Sequence, residues 1–281
     1  MESTTSAAAA ADLADPPLPA AGDDDPAALA ERFEPAAAEE LVAWALDRYA
    51  GRLALVTSLQ AEGVVLLDLA HRLAGGRPGG LDGLLRVVSL DTGRLHPETY
   101  DLVDRVRERF GVEVELVFPE AAAVEALVRR AGPNLFYASP EARRECCRVR
   151  KVEPLARALA PFDAWLTGLR RGQSAARRAT PKIGLDGNDR TGRRFKLAPL
   201  ADWSEERVWR HVRERGLPYH PLYDQGYRSI GCAPCSRPSR PAEPARAGRW
   251  WWESDEAREC GLHLVTIGVG GTRAGANGGR P

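Results

Sequence analysis

Cysteine is scarce in this chain, with five among 281 residues, and the number is odd. The first residues offer no basic stretch followed by an apolar one, so a secretory signal is not expected. An odd count without export argues against a disulfide framework, and the cytoplasm is the expected compartment. No apolar run approaches the roughly 18 residues of a membrane span, so no membrane partner is expected. There is no internal repeat. There is no net charge either: 39 Lys and Arg meet 39 Asp and Glu. The balance hides a local excess, because Arg143 to Lys196 holds fifteen basic and five acidic side chains. That segment lacks regularly spaced aromatics, so a small phosphate or sulfate anion is expected there rather than a nucleic acid. A Gly-Lys-Ser/Thr phosphate loop is also missing.

What is present suffices for one sizeable core, since 44% of the residues are hydrophobic. Residues 1–27 are mostly Ala, Pro and Asp without periodicity and are expected to be disordered. Residues 28–265 read as one α/β domain with a cysteine-rich C-terminal part. Residues 266–281, rich in glycine, read as a flexible tail. Between them, short apolar runs alternate with helical patterns. The predicted strands are Leu53–Ser58, Leu84–Leu90, Val112–Phe118, Asp163–Gly168 and Phe195–Leu200. Helices are expected over Pro35–Tyr49, Val64–Leu73, Pro97–Phe110, Ala121–Arg130, Pro140 toward Leu159, and Glu205 to about Arg215. Ser139 and Ser204 are candidate N-caps, and Pro97 suits a first helical turn. Such alternation predicts a parallel five-stranded sheet with helices on both faces.

Ligands of open parallel sheets bind beyond the carboxyl ends of the strands. Three such ends carry polar or basic residues. They are Ser58-Leu59-Gln60-Ala61-Glu62-Gly63, then Leu90-Asp91-Thr92-Gly93, and Thr167-Gly168-Leu169-Arg170-Arg171 with Arg177 and Arg178 beyond. Near the end of the chain, Cys260 stands alone within RWWWESDEARECGLH, Arg249 to His263. Cationic neighbours lower a thiol's pKa and make it nucleophilic; a buried, inert thiol is the plainer alternative. The other cysteines are the adjacent pair Cys146-Cys147 and the C-x-x-C of Cys232 and Cys235. Four thiolates suit zinc or an iron–sulfur cluster, and spacing alone does not choose between them. A redox C-x-x-C beside two buried thiols is a further reading.

Seven motifs, in order, make the sequence recognisable: TSLQAEGVVLLD, LDTGRLHPETY, CCRVRKVEPL, TGLRRGQS, GYRSIGCAPCSRP, GRWWWE and ECGLH. Together they span roughly residues 40 to 263. They resemble those of the assimilatory adenylyl-sulfate reductases of the iron–sulfur type. These belong to the wider family of adenylyl-sulfate and phosphoadenylyl-sulfate reductases.

The resemblance implies a fold like the PP-loop nucleotide enzymes. It implies thiol-dependent reduction of adenylyl sulfate to sulfite and AMP, in assimilatory sulfate reduction and cysteine biosynthesis. Cys260 corresponds to the nucleophile that becomes an S-sulfocysteine, reduced by thioredoxin or a glutaredoxin-like donor. Cys146, Cys147, Cys232 and Cys235 correspond to the ligands of a [4Fe–4S] cluster that supports the site. Lys151, Arg246, Arg249 and His263 correspond to residues that hold the phosphosulfate, with His263 assisting the chemistry. Ser58, Leu90 and one of Arg177 and Arg178 correspond to nucleotide contacts. At most one or two of Trp250, Trp251 and Trp252 are expected at the site, the rest in the core. The loop after the first strand lacks the serine- and glycine-rich form of ATP-cleaving PP-loop enzymes, and Gly172 replaces an acid common in relatives. The competing readings are phosphoadenylyl-sulfate reduction, an ATP-dependent PP-loop sulfurtransferase or ligase, and a zinc-stabilised binding module. Oligomeric state is left open, a homo-oligomer included.

Overall fold

The computed structural model describes residues 25–77, 79–189, 191–240, 242–253, 259, 261–263 and 265–266. The strands are β1 (Leu53–Val56), β2 (Leu85–Leu90), β3 (Val114–Val117), β4 (Ala164–Thr167), β5 (Ile183–Asp186), β6 (Phe195–Leu197) and β7 (Val265–Thr266). Their order is β3-β2-β1-β4-β6-β5-β7. The first five in that order run parallel, as the sequence predicts. The sheet is nevertheless wider than five strands, because β5 and β7 add an antiparallel edge. Neither carries a period of its own: β5 is four residues with a glycine inside, and β7 is two.

The helices are α1 (Pro26–Phe33), α2 (Ala38–Arg48), α3 (Ala61–Ala74), α4 (Pro97–Phe110), α5 (Ala121–Ala131), α6 (Pro140–Cys147), α7 (Glu153–Ala158) and α8 (Glu205–Glu214). Side chains alternate across a strand, so Leu53 and Leu55 of β1 face one side and Ala54 faces the other. The first side meets α2, α3, α4 and α8 in the main core. The second meets Leu155 and Leu159 at and just beyond α7, with Trp165 and Val88. Helices cover both faces.

Regular structure reaches into both terminal segments. Helix α1, capped by Asp25, begins at Pro26 inside the segment expected to be disordered, and buries Leu29 and Phe33. Thr266, the first residue of the expected tail, pairs with Leu185 of β5. Residues 1–24 and 267–281 lie outside the described residues.

The long helix expected from Pro140 is interrupted. Ser139 caps α6 by accepting the Ala142 N–H at 3.2 Å. Arg148–Val152 then form one π turn before α7. The physical cause is Pro154, which lacks an N–H and whose ring would meet the carbonyl four residues back in a regular α-helix. Widening the turn relieves that clash, and Glu153 N–H donates five residues back to the Arg148 carbonyl. Such bulges occur often at functional sites, and this one carries Arg150 and Lys151.

Candidate functional site

A cleft of about 960 Å³, part of it open to solvent, lies beyond the carboxyl ends of β1, β2 and β4. Its floor is the turn after β1. Thr57 Oγ1 accepts the Leu59 N–H at 2.8 Å, and Leu59 is fully buried at φ +54°. A bulky residue held in the left-handed region is strained by roughly 1–3 kcal/mol and tends to mark a functional turn. Gly63, in the first turn of α3, must be glycine: a Cβ there would stand 1.9 Å from Thr57 Oγ1. Gly168, after β4, presses on Glu62, where a Cβ would come within 2.7 Å of the Glu62 Cβ. Glu62 in turn accepts from Arg170 Nε at 2.9 Å and Gln173 Nε2 at 3.1 Å. Ser58 and Leu90 both line the cleft.

One wall is cationic. Lys151, Arg177, Arg246 and Arg249 line it, and all but Arg246 are at least nine-tenths buried. Arg249 is held by carbonyls: Nε donates to Cys235 O at 3.3 Å and Nη1 to Ile230 O at 3.2 Å. The fully buried Trp250 ring stacks beneath three guanidinium groups, with Cζ of Arg143, Arg249 and Arg246 at 4.5, 4.7 and 5.8 Å. Arg177 donates to both oxygens of Glu259, at 2.9 and 3.0 Å, and Arg246 lies 3.6 Å from the same carboxylate. Burial alone would raise the Glu259 pKa, but Arg177, Arg246 and Arg249 outweigh it and hold the carboxyl below its ordinary value. So the fork that faces the cleft already binds one anion, a carboxylate of this chain.

His263 lies over Trp165, with ring centroids 6.5 Å apart, and its Nδ1 is 3.4 Å from Lys196 Nζ. Enclosure by protein, then Lys196, Arg177, Arg246 and Lys151, push its pKa well below the ordinary value. These surroundings favour the neutral imidazole, whose Nδ1 faces the Lys196 ammonium.

Beside the cationic wall, Cys147, Cys232 and Cys235 form one buried cluster with Phe136 and Trp250; Cys146 and Trp252 pack against it. None of the four cysteines is joined in a disulfide. Thr92 Oγ1 lies 3.2 Å from Cys232 Sγ. Burial would raise the Cys232 pKa, yet Lys151, the Thr92 contact and Arg249 outweigh it and lower it. For Cys235 burial wins, helped by Cys232, and pushes the thiol up to about 12. Two buried indole N–H groups in this shell, of Trp250 and Trp252, have no acceptor among the described residues. Four convergent thiols with idle donors around them fit a sulfur-rich group. Among the described residues, no three His, Cys, Asp or Glu side chains are grouped closely enough to hold a single metal ion.

The comparisons with known proteins decide the lineage. Residues 52–238 match the phosphoadenosine phosphosulfate reductase domain. An adenosine 5'-phosphosulfate reductase of Burkholderia cepacia is 46% identical over 216 residues, covering 77% of this chain and 82% of its own length. This chain belongs to the phosphoadenosine phosphosulfate reductase family. A chloroplastic 5'-adenylylsulfate reductase of Arabidopsis thaliana is 42% identical over 85% of this chain, which spans 51% of that longer relative. Among solved structures, a phosphoadenylyl-sulfate reductase of Candida auris in complex with phosphate superposes with a TM-score of 0.59 at 26% identity. The match covers 73% of this chain and 93% of that one.

Of the residues singled out from the sequence of this family member, the structure gathers Ser58, Leu90, Lys151, Arg177, Arg246, Arg249 and His263 around one cleft. Arg178 is not among them. Its side chain is exposed, and the one-residue difference from Arg177 turns it away from the cleft. Cys260 lies outside the described residues, although Glu259 before it and Leu262 and His263 after it are placed at the cleft. The tryptophans divide differently from the expectation: Trp250 lines the cleft, whereas Trp251 is exposed, not core. Sequence reasoning missed Lys196, Glu259 and the wall residues Glu62 and Gln173. Glu259 sits within the ECGLH motif, so its position was visible, but nothing local revealed that its partners are arginines 82 and 13 residues away.

Proposed function

We propose that the chain reduces adenylyl sulfate to sulfite and AMP at the expense of a dithiol. The observation that carries this reading is the convergence of Lys151, Arg177, Arg246 and Arg249 on one cleft at the strand ends, next to four clustered cysteines. An anion with adjacent phosphate and sulfate groups needs such a wall. Guanidinium forks bind such oxygens bidentately, and donors already fixed in place stabilise charge as it develops on a leaving phosphate. The relatives at 42–46% identity carry names that specify adenylyl sulfate.

In the proposed reaction the Cys260 thiolate attacks the sulfur of adenylyl sulfate. The bond from that sulfur to the bridging oxygen breaks, and the electron pair leaves with AMP. Cys260 then carries an S-sulfo group. A thiolate of thioredoxin, or of a glutaredoxin-like donor, attacks the Cys260 sulfur and expels sulfite. The donor's second thiol closes its own disulfide and returns Cys260 as a thiolate. Lys151 and the arginines hold the anionic groups, and neutral His263 accepts a hydrogen bond at the edge of the cleft. Cysteines outside disulfides suit a reducing cytoplasm.

Cys146, Cys147, Cys232 and Cys235 would hold a [4Fe–4S] cluster. When bound, it would brace helix α6 against the Cys232–Cys235 loop and so fix Lys151 and Arg249. The test is anaerobic purification followed by iron and acid-labile sulfide analysis, with sulfite release measured on adenylyl sulfate. A colourless protein with full activity would sink the cluster; turnover by Cys260→Ser would sink the mechanism.

A further inference from the structure

Arg143 is absent from the cleft lining, yet it is the most enclosed charge near it, with 0% of its surface exposed. It sits on α6 four residues before Cys147, so the two share a helix face. Its guanidinium donates to a carboxylate and to a backbone carbonyl, lies against an indole ring, and has Cys147 as a further hydrogen-bond neighbour. Nε and Nη2 grip the two oxygens of Glu253 at 2.6 and 3.0 Å. Nη1 donates to the Glu259 carbonyl at 2.9 Å. The flat face covers the Trp250 ring at 4.5 Å. Burial alone would disfavour its charge, but Glu253 and then Cys147 outweigh it and keep the guanidinium protonated.

These contacts have one thing in common. Glu253 and Glu259 both lie on the stretch of chain between Trp250 and Cys260, and Glu259 is the residue bonded to Cys260. A single guanidinium therefore ties two points before Cys260, the Glu253 carboxylate and the Glu259 carbonyl, to the helix that carries Cys146 and Cys147. The contact to Glu259 is made to the backbone, so it constrains the peptide leading into Cys260 whatever the Glu259 side chain is doing. A carboxylate pair alone needs no arginine. The added bond to the Glu259 carbonyl does, because a lysine's compact ammonium lacks the rigid fork that grips both carboxylate oxygens while a further N–H reaches the carbonyl.

We propose that Arg143 is a positioning residue for sulfur transfer: it ties the backbone of Glu259, the residue before Cys260, to the helix of Cys146 and Cys147 while leaving nucleotide affinity to the cleft. This rests on the assignment of Cys260 as the nucleophile. Rates depend steeply on the aim of a nucleophile, where a misplacement of about 1 Å can cost on the order of a hundredfold. Binding of AMP does not use that aim.

The experiment is Arg143→Lys in the full-length, cluster-loaded protein. A charge stays beside Cys147 and Glu253, so the buried carboxylate is not stranded. Iron content, AMP affinity by calorimetry, kcat and KM on adenylyl sulfate, and the rate of Cys260 alkylation by iodoacetamide, followed on its peptide by mass spectrometry, are measured together. The expected result is unchanged iron, AMP affinity and KM within about twofold, and kcat lower by about 10- to 100-fold, the size of one lost charge-assisted hydrogen bond. Alkylation of Cys260 in the ligand-free protein should change several-fold as well. An unchanged kcat and alkylation rate with iron intact would overturn the proposal. So would loss of iron, which would make Arg143 a support of the cluster only, or a KM that rises while kcat holds. Failure of the underlying assignment reads differently: Cys260→Ser would then turn over normally, whatever Arg143→Lys does.

Discussion

Replacing Gly231 with alanine tests the cationic wall through a single methyl group. Gly231 precedes Cys232 and has no positive φ, so alanine suits its backbone. Space is what it lacks. A Cβ would stand 2.2 Å from Arg249 Nη2, 2.4 Å from Cζ and 2.8 Å from Nη1. The guanidinium cannot simply swing aside, because Arg249 is only 5% exposed, bonded to the Cys235 and Ile230 carbonyls and stacked on Trp250. Moving it breaks hydrogen bonds from a charged donor worth about 1.5–3 kcal/mol each, and takes that charge from the anion site. Gly231→Ala is therefore expected to weaken adenylyl sulfate and AMP by about 10- to 100-fold in calorimetry, with iron content retained. Because both changes act on one group, the double variant Gly231→Ala with Arg249→Ala should bind no worse than Arg249→Ala alone. Parental affinity in Gly231→Ala, or losses that add in the double variant, would refute the argument.

Other outcomes follow from the same geometry. Lys151→Ala should weaken both ligands by about 1.5–3 kcal/mol in calorimetry, the scale of a charged hydrogen bond. Serine at Cys146, Cys147, Cys232 or Cys235 should bleach the visible absorbance and abolish sulfite release. A higher kcat/KM is expected on adenylyl sulfate than on phosphoadenylyl sulfate, and steady-state assays with both will show a reversed ratio if substrate choice has been misread. Lys196→Gln should raise the His263 pKa toward its ordinary value of about 6.5, only in part because burial remains, as read from its ring protons by NMR. For Asp68, burial opposes ionisation, but His211, Arg215 and Arg72 outweigh it, so its folded pKa is depressed. It therefore stabilises the fold above about pH 3.9 and loses that contribution as pH falls through the folded value. Asp68→Asn should lower stability at pH 7 and flatten the acid limb of a denaturation series.

The parallel sheet was legible because each strand is a short apolar run followed at once by a helical period, as in Leu53–Val56 and Ala61–Ala74. The antiparallel edge was not, because four residues and two carry no period. The cysteine quartet stood out by residue type alone. Lys196 did not, since it reaches the site only because β6 pairs with β4, which sets it opposite Trp165 and places its ammonium 4.8 Å from that ring. Adjacent arginines were beyond sequence reasoning for a related reason. Arg143 is fully buried while Arg144 is exposed, and Arg177 and Arg178 divide the same way. One residue of helical or turn rotation decides which of the two faces inward, and only the tertiary contacts say where inward is. The π turn was not anticipated, although Pro154 lies well inside the helix expected from Pro140, where a proline interrupts the regular pattern.

Glu259 holding the Arg177 and Arg246 fork has a consequence for selectivity among the anions of a cell. A carboxylate carried on the same chain is a tethered competitor, present at an effective concentration on the order of millimolar. Inorganic phosphate and sulfate must displace it before they can occupy the fork, and a small anion with no other contacts in the cleft gains little over it. A substrate that also fills the nucleotide end of the cleft draws on contacts the tether does not touch, and evicts it. The fork is thus kept from filling with common salts between turnovers. Phosphate should bind Glu259→Gln more tightly than the parent chain in calorimetry, and equal affinities would show that the tether exerts no such discrimination.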